Sequence, residues 1–333
     1  MTVTPSPPIL AERRNANAES SARGTFFRCV LDEQPGYLAP SSTMHGRRRL
    51  SEKQLIVNPC CRCSWTTGTP DEVAAASSFL DLDHDDRVIW VFGPTGAHPF
   101  WVGDAYREFL SDCRPAAPIP AGLPQHATMV LRQANVFVDK RQENATTERW
   151  RATAAKGARA IRRNRYVNVS GLIHGFHVDA LRKYYRRLVR NGGMCLGDGQ
   201  SSRRYACHNE VVSRYFHHQL TNAISEIVGE KVKPSYTYVV SYQGGADLER
   251  HVDREQCEFT LSLLVDYPPE RESQWPLCIE SGGRTVELTQ KIGDGLLFCG
   301  RELPHFRPKL PEGHTSTSLL LHYVREDFAG SLD

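Results

Sequence analysis

The sequence lacks any long apolar run. No stretch approaches the ~20 consecutive apolar residues of a membrane-spanning helix, and the N-terminal segment has no apolar core of signal-peptide length. Net charge is small, +3 over 333 residues, so the one-sided charge that favours nucleic-acid binding is missing. We therefore expect a cytoplasmic globular protein without nucleic-acid or membrane partners.

Cysteine is also too sparse to organise the fold. Ten cysteines in 333 residues do not make a disulfide scaffold. Cys60, Cys61 and Cys63 cluster, but zinc sites use Cys pairs about two to four residues apart, with a matching pair downstream. The matching downstream pair is missing here, so we expect reduced thiols.

The chain divides into three predicted parts. Residues 1–50 are rich in Pro, Ser, Ala and Arg without apolar periodicity, which predicts a disordered tail. Residues 51–164 alternate short apolar runs with helix-like segments, which predicts a mixed α/β region. It ends in a basic helix, 144–164, whose arginines form either a solvated face or a surface for an anionic or carrier-bound substrate.

Residues 165–333 carry apolar strand runs and two amphipathic helices, at 178–190 and 210–228, each followed by glycine. The predicted fold class is α+β. In this prediction a C-terminal double-stranded β-helix (jelly roll) is buttressed by helices and preceded by the smaller mixed α/β region.

The most informative stretch is YQGGADLERHVD, residues 242–253, which follows an apolar strand run. Side chains alternate faces along a strand, so His251 and Asp253 project together from one strand end. His305 follows a second apolar run, GLLFC. Two imidazoles and one carboxylate form the facial triad of non-haem Fe(II) oxygenases, which leaves coordination positions open.

The order of these features resembles the Fe(II)/2-oxoglutarate-dependent oxygenases, in their prolyl 4-hydroxylase-like branch. The matching elements are Tyr242-x-x-Gly245 before His251-x-Asp253, then Gly282-Gly283, the run from Gly293 to Phe298, and His305. The resemblance covers about residues 165–333. It implies Fe(II), 2-oxoglutarate and O2 as cofactors, with ascorbate as a supporting reductant. It also makes His251, Asp253 and His305 both the metal ligands and the catalytic residues.

The binding of the far carboxylate of 2-oxoglutarate departs from the family pattern. The family's Lys or Arg lies nine or ten residues after the distal histidine, where this chain has His314 and Thr315. A protonated His314 is one candidate partner, with Ser316 and Ser318 as further donors on the same face. Arg307, two residues after His305, is the other candidate. Tyr242 is either a lining residue of the same pocket or a packed core aromatic.

The remaining candidates concern the substrate. Arg254 directly follows the triad carboxylate, and Trp275 follows a loop between core strands, so both are candidate substrate contacts. The resemblance implies a dioxygenase that oxidises, most simply hydroxylates, a C–H bond of a small molecule such as an amino acid or biosynthetic intermediate. Succinate and CO2 would be the coproducts. A protein prolyl hydroxylase and a cupin-like metal-binding jelly roll without oxygenase activity are the alternatives. A homodimer is a further expectation.

Overall fold

The computed structural model describes residues 55–64, 71, 73, 88–101, 111–133, 135–142, 145–270 and 272–333. The predicted tail, 1–50, lies outside these residues, as do most of the helix-like segments predicted at 70–82 and 103–113. Within the described ranges, no helix is long and apolar enough to cross a membrane. None of the eight cysteines whose side chains are described forms a disulfide.

Eight consecutive strands build the C-terminal half of the chain. They are β9 (Val232–Gln243), β10 (Leu248–His251), β11 (Phe259–Asp266), β12 (Leu277–Ser281), β13 (Arg284–Leu288), β14 (Gly295–Phe298), β15 (His305–Arg307) and β16 (Thr315–Arg325). The chain passes back and forth between two sheets. Strands β10, β15, β12 and β13 form a four-stranded sheet, in that order, and the other four strands belong to a larger one. This is the double-stranded β-helix, and the predicted fold is confirmed.

The larger sheet has seven antiparallel strands in the order β6–β14–β11–β16–β9–β8–β7. Its three additional strands precede the eight in the chain and are β6 (Tyr166–Val169), β7 (Cys195–Leu196) and β8 (Arg204–His208). Strand β16 lies between β11 and β9, with Leu320 opposite both Ser262 and Tyr238. The central strands are therefore hydrogen-bonded on both sides, which gives the sheet a rigid middle.

Side-chain alternation along these central strands separates a core face from a cavity face. In β16, Leu319, Leu321 and Tyr323 are fully buried in the main hydrophobic core. Their neighbours Leu320 and His322 line a cavity between the two sheets. Because the side-chain period of a strand is two, one strand serves both the core and the site.

Helices cover the core face of the larger sheet. Helix α2 (Ala145–Asn164), helix α3 (Gly175–Arg190) and helix α4 (Val211–Val228) contain the three helical segments predicted from the sequence. Helix α4 ends at Gly229 in the left-handed conformation. Apolar residues of α3 and α4 join the main core together with those of β11 and β16. The predicted buttressing of the jelly roll by helices is therefore confirmed.

The described N-terminal elements are short. Strands β1 (Leu55–Val57) and β5 (Phe137–Asp139) pair with each other, while β2 (Cys61–Ser64), β3 (Val88–Gly93) and β4 (Gly96–Trp101) form a three-stranded sheet. Helix α1 (Gln125–Gln133) and a 3-10 helix (Lys140–Gln142) complete this part. Residues of β1, β3 and α1 share the main core with α4. The domain boundary at residue 165 stays a prediction.

The turn between β3 and β4 is held close to helix α4 at Gly96. The backbone of Gly96 has a φ of +102°, and a Cβ placed there would lie 2.6 Å from the backbone oxygen of Gln219. The adjacent amide of Ala97 donates to Oε1 of Gln219 over 2.8 Å. Glycine is therefore required at this position by both backbone conformation and space.

We predict that Gly96→Ala lowers the free energy of unfolding by about 3 kcal/mol, because left-handed strain and overpacking add. Gly122→Ala is the matched control, since its φ is +78° but nothing lies within 4 Å of a new Cβ. That control should lose only the strain contribution, about 1–2 kcal/mol. Urea unfolding of both variants measures the difference, and equal losses would contradict the packing argument.

Candidate active site

Pairing between β10 and β15 brings the two predicted histidines together. His251 and His305 are register partners across this antiparallel pair, with ring centroids 4.3 Å apart. Asp253 lies just beyond β10, where its Oδ1 is 3.6 Å from Nε2 of each imidazole. One ligand atom from each residue lies within 4.8 Å of the others, so the three side chains can hold one metal ion.

Backbone carbonyls determine which nitrogen of each histidine faces the site. Nδ1 of His251 lies 2.8 Å from the carbonyl oxygen of Glu249, and Nδ1 of His305 lies 2.9 Å from that of Leu303. A carbonyl only accepts, so each Nδ1 carries the proton and donates it. The Nε2 atoms are then left as lone-pair donors on the side of Asp253, which is the arrangement that metal ligation requires.

The carboxylate of Asp253 is oriented from the larger sheet. The hydroxyl of Thr260 in β11 donates to Oδ2 of Asp253 over 2.7 Å. Nδ1 of His322, the register partner of Thr260 in β16, lies 3.0 Å from the same hydroxyl and donates to it. Oδ2 is thereby engaged, and Oδ1 is left for the histidine side.

Gly300 makes room for this carboxylate. A Cβ at Gly300 would lie 2.1 Å from Oδ2 of Asp253 and 2.9 Å from the hydroxyl of Thr260. The carbonyl of Gly300 also accepts from the amide of Asp253 over 3.0 Å. A side chain at residue 300 would therefore displace the carboxylate.

The ionisation of the triad suits cation binding. Burial alone would raise the pKa of Asp253, but His251, His305, His322 and Thr260 outweigh it and lower the pKa to about 2. Burial lowers the pKa of His305, whereas the attraction of Asp253 outweighs burial at His251 and raises its pKa. The site therefore presents one carboxylate and a neutral His305 near neutral pH.

The triad opens into a cavity of about 460 Å³ between the two sheets. This volume falls within the range of about 300–1,000 Å³ that is usual for small-molecule sites. Its wall on the larger sheet follows the strand alternation and consists of His208, Tyr236, Tyr238, Val240, Tyr242, Thr260, Ser262, Phe298, Ser318, Leu320 and His322. The smaller sheet contributes Leu248, His251, Leu277, His305 and Arg307.

At the closed end of the cavity lies the buried guanidinium of Arg307. It stacks on the indole of Trp275 at 4.6 Å, and its Nη1 donates to the carbonyl of Trp275 over 3.1 Å. Among the described residues, no acidic side chain forms an ion pair with it. Burial lowers the pKa of Arg307 from its usual value. The buried Oγ of Ser262, which belongs to a residue lining the cavity, has no hydrogen-bond partner among the described residues.

The structure places three predicted residues away from the cavity lining. His314 precedes β16 and packs beside Tyr267, with Nε2 3.8 Å from Glu270. Ser316 is buried but does not line the cavity. Trp275 is buried behind Arg307 and donates from Nε1 to the carbonyl of Pro308 over 2.6 Å. Trp275 therefore supports the guanidinium, and its role as a substrate contact stays a prediction.

Sequence reasoning missed the network on β8 and the loop before it. Arg204 is 2% exposed, and its Nε donates to Asp198 over 2.5 Å. The same guanidinium donates to the hydroxyl of Tyr242 and to Oε1 of Gln200, each over 2.7 Å. Tyr242 thus lines the cavity with its hydroxyl already engaged. The only sequence signal was the alternation of Arg204, Ala206 and His208 on one face of a short strand.

At the open end of the cavity lies the exposed Arg254, whose role as a substrate contact stays a prediction. Its Nη2 donates to the hydroxyl of Tyr236 over 2.9 Å, and its guanidinium lies 5.2 Å from that ring. The thiol of Cys257 lies 3.0 Å from the same hydroxyl. Val252, 49% exposed, forms part of the same rim.

No family model matches the chain, and no curated protein matches it either. Among solved structures, a prolyl-4-hydroxylase from Pseudomonas putida is 18% identical with a TM-score of 0.43, and the match covers 52% of this chain and 99% of that one. A Trichoplax adhaerens prolyl hydroxylase in complex with a hypoxia inducible factor fragment is 13% identical with a TM-score of 0.46, covering 54% and 92%.

A third similar structure is SnoN, a non-heme alpha ketoglutarate dependent epimerase from nogalamycin biosynthesis. It is 16% identical with a TM-score of 0.45, and the match covers 52% of this chain and 81% of that one. At such identities the activities of these proteins do not transfer to this chain. The predicted resemblance holds at the level of the fold, which the strand order of the chain itself defines.

We predict that Gly300→Ala weakens Co(II) binding about 10- to 100-fold, the loss typical when a group that orients a ligand is disturbed. The reason is the displacement of Asp253 by the new methyl group. Gly199→Ala is the matched control, because Gly199 lines the cavity but has open space where its Cβ would lie. Anaerobic titration followed by the visible Co(II) absorption measures both, and unchanged affinity in Gly300→Ala would refute the space argument.

We also predict that Thr260→Val weakens Co(II) binding about 10- to 100-fold, whereas Thr260→Ser retains it. Valine has nearly the same shape as threonine but cannot donate to Oδ2 of Asp253. The shape of the Co(II) ligand-field spectrum reports whether the freed oxygen joins the coordination sphere. Equal affinities and identical spectra in the two variants would show that the hydroxyl has no orienting role.

Proposed function

We propose that this chain is an Fe(II)- and 2-oxoglutarate-dependent dioxygenase that oxidises, most simply hydroxylates, a C–H bond of a small molecule. The observation that carries the proposal is the meeting of His251, Asp253 and His305 in one cavity with the buried guanidinium of Arg307. The guanidinium and one of the metal donors come from the same strand, because Arg307 is two residues after His305 in β15.

The residues fit a hard-to-borderline divalent cation such as Fe(II). Both imidazoles present Nε2 toward Oδ1 of Asp253, and Thr260 keeps Oδ2 engaged. Two imidazoles and one carboxylate are the donor set of non-haem iron oxygenases. His251, Asp253 and His305 would hold the ion and leave its other positions to small ligands.

The closed end of the cavity fits the far carboxylate of 2-oxoglutarate. Burying a cation without a partner is costly, so the unpaired guanidinium of Arg307 favours an anionic ligand. The unpartnered Oγ of Ser262 and the hydroxyl of Ser318 add donors on the opposing sheet. Arg307 would thus replace the family's cation after the distal histidine, a role that His314 does not take from its position beside Glu270.

The remaining residues would orient the substrate and exclude water. Fe(II) and 2-oxoglutarate, when bound with O2, supply the oxidising chemistry and yield succinate and CO2. The apolar side chains Leu248, Leu277, Phe298 and Leu320 give the cavity a wall against which a substrate C–H bond can be positioned. The size of the cavity favours a small-molecule substrate such as an amino acid or biosynthetic intermediate.

The experiment is anaerobic Fe(II) titration followed by 2-oxoglutarate, with detection of the visible charge-transfer band of the chelate. We predict a band in the wild type that is absent in Asp253→Ala. In Arg307→Gln the Kd of 2-oxoglutarate should rise about 10- to 100-fold, because a hydrogen bond to a charged group contributes about 1.5–3 kcal/mol. His314→Gln is the matched control and should leave that Kd unchanged.

Two outcomes would contradict the proposal. Metal binding without a chelate band would support a metal-binding jelly roll that lacks oxygenase activity. Weakened 2-oxoglutarate binding in His314→Gln, with normal binding in Arg307→Gln, would place the far carboxylate at the turn before β16 instead.

A further inference from the structure

We propose that the open end of the cavity is a substrate subsite that binds the carboxylate of an apolar monocarboxylic acid through Arg254. The inference rests on the proposed function, because it concerns the substrate of the same site. It assigns the substrate a chemical class and divides the cavity between two anions, with 2-oxoglutarate at Arg307 and the substrate at Arg254.

The charges that line the cavity support this division. Three guanidinium groups and two carboxylates face it, namely Arg204, Arg254, Arg307, Asp198 and Asp253. Asp198 forms an ion pair with Arg204 over 2.5 Å, so these two charges cancel. A divalent metal with Asp253 leaves one positive charge, and doubly negative 2-oxoglutarate with Arg307 leaves one negative charge. With both cofactors bound, Arg254 is the cation that remains uncompensated in the lining.

The position of Arg254 suits an incoming ligand. Asp253 and Arg254 are consecutive, and both line the cavity together with the exposed Val252. Its guanidinium donates to the hydroxyl of Tyr236, and the described residues offer it no carboxylate within ion-pair distance. The other guanidinium N–H groups remain available in a planar fork that matches a carboxylate.

The chain itself already places a carboxylate at this rim. Oδ1 of Asp333 lies 3.0 Å from Nε2 of His208, a residue of the cavity wall. His208 and Arg254 both pack against the ring of Tyr236, at 5.1 Å and 5.2 Å. The rim therefore accommodates a carboxylate close to Arg254, at His208.

The wall between Arg254 and the metal site is aromatic and aliphatic. The ring of Tyr236 lies 4.6 Å from the ring of His322 and 5.1 Å from that of His208, while Tyr238 and Leu320 continue the surface inward. Tyr238 donates its hydroxyl to Asp198 over 2.9 Å, so its ring face is what remains for a ligand. Such a wall suits an apolar body rather than a second charged group.

The test uses two probes of one shape, 3-phenylpropanoate and its uncharged amide, 3-phenylpropanamide. Binding to the metal-free protein is measured by ligand-observed NMR, and binding to the anaerobic Fe(II)–2-oxoglutarate complex by the change in its visible band. We expect the acid to bind at least about 10-fold more tightly than the amide, as for a hydrogen-bonded charge pair. Arg254→Gln should abolish this preference, and Arg254→Lys should retain part of it.

Arg307→Gln is the matched variant at the closed end, and in the metal-free protein it should leave the preference for the acid intact. Three results would overturn the inference: equal affinity for acid and amide, no binding of either probe, or a preference lost in Arg307→Gln but kept in Arg254→Gln. A missing chelate band with an intact preference would refute the proposed oxygenase and leave the anion subsite standing. A normal chelate band without the preference for the acid would refute the subsite at Arg254 and leave the proposed oxygenase standing.

Discussion

The site depends on how one carboxylate, that of Asp253, is shared between two sheets. Its Oδ2 accepts from Thr260 of the larger sheet, and its Oδ1 faces His251 and His305 of the smaller one. Since Gly300 leaves space for that carboxylate to reach Thr260, the spacing of the sheets determines the spacing of the metal donors. The packing of the two sheets therefore also determines the geometry of the metal site.

Strand alternation couples this constraint to the hydrophobic core. In β16, Leu321 is buried against the helices while His322 reaches the cavity and supports Thr260. A slip of one residue in register would exchange these faces, placing an imidazole in the core and a leucine beside Asp253. The long pairing of β16 with β9 and β11 excludes such a slip, so the burial of apolar side chains also protects the chemistry.

The sequence was sufficient for the parts of the site that depend on local spacing. His251 and Asp253 stand two residues apart at a strand end, and the alternation of β16 follows from its apolar pattern. Contacts between distant segments could not be predicted in this way. Thr260 and Gly300 look like any strand threonine and loop glycine, and their roles arise only where β11 and the segment before β15 converge. His314 has the family's spacing, but the turn before β16 directs it to Glu270.

The two buried arginines of the cavity show how the fold separates structure from recognition. Arg204 meets Asp198, Gln200 and Tyr242, so its charge and several of its donors are satisfied within the protein. In the described part of the chain, Arg307 meets the carbonyl and the ring face of Trp275 and no carboxylate. Burying a guanidinium is costly where the protein supplies no anion. Such a guanidinium therefore gains the most free energy from binding an anion from solution. The same residue type thus stiffens the wall at Arg204 and, in the function that we propose, binds an anionic ligand at Arg307, where the described residues supply no carboxylate.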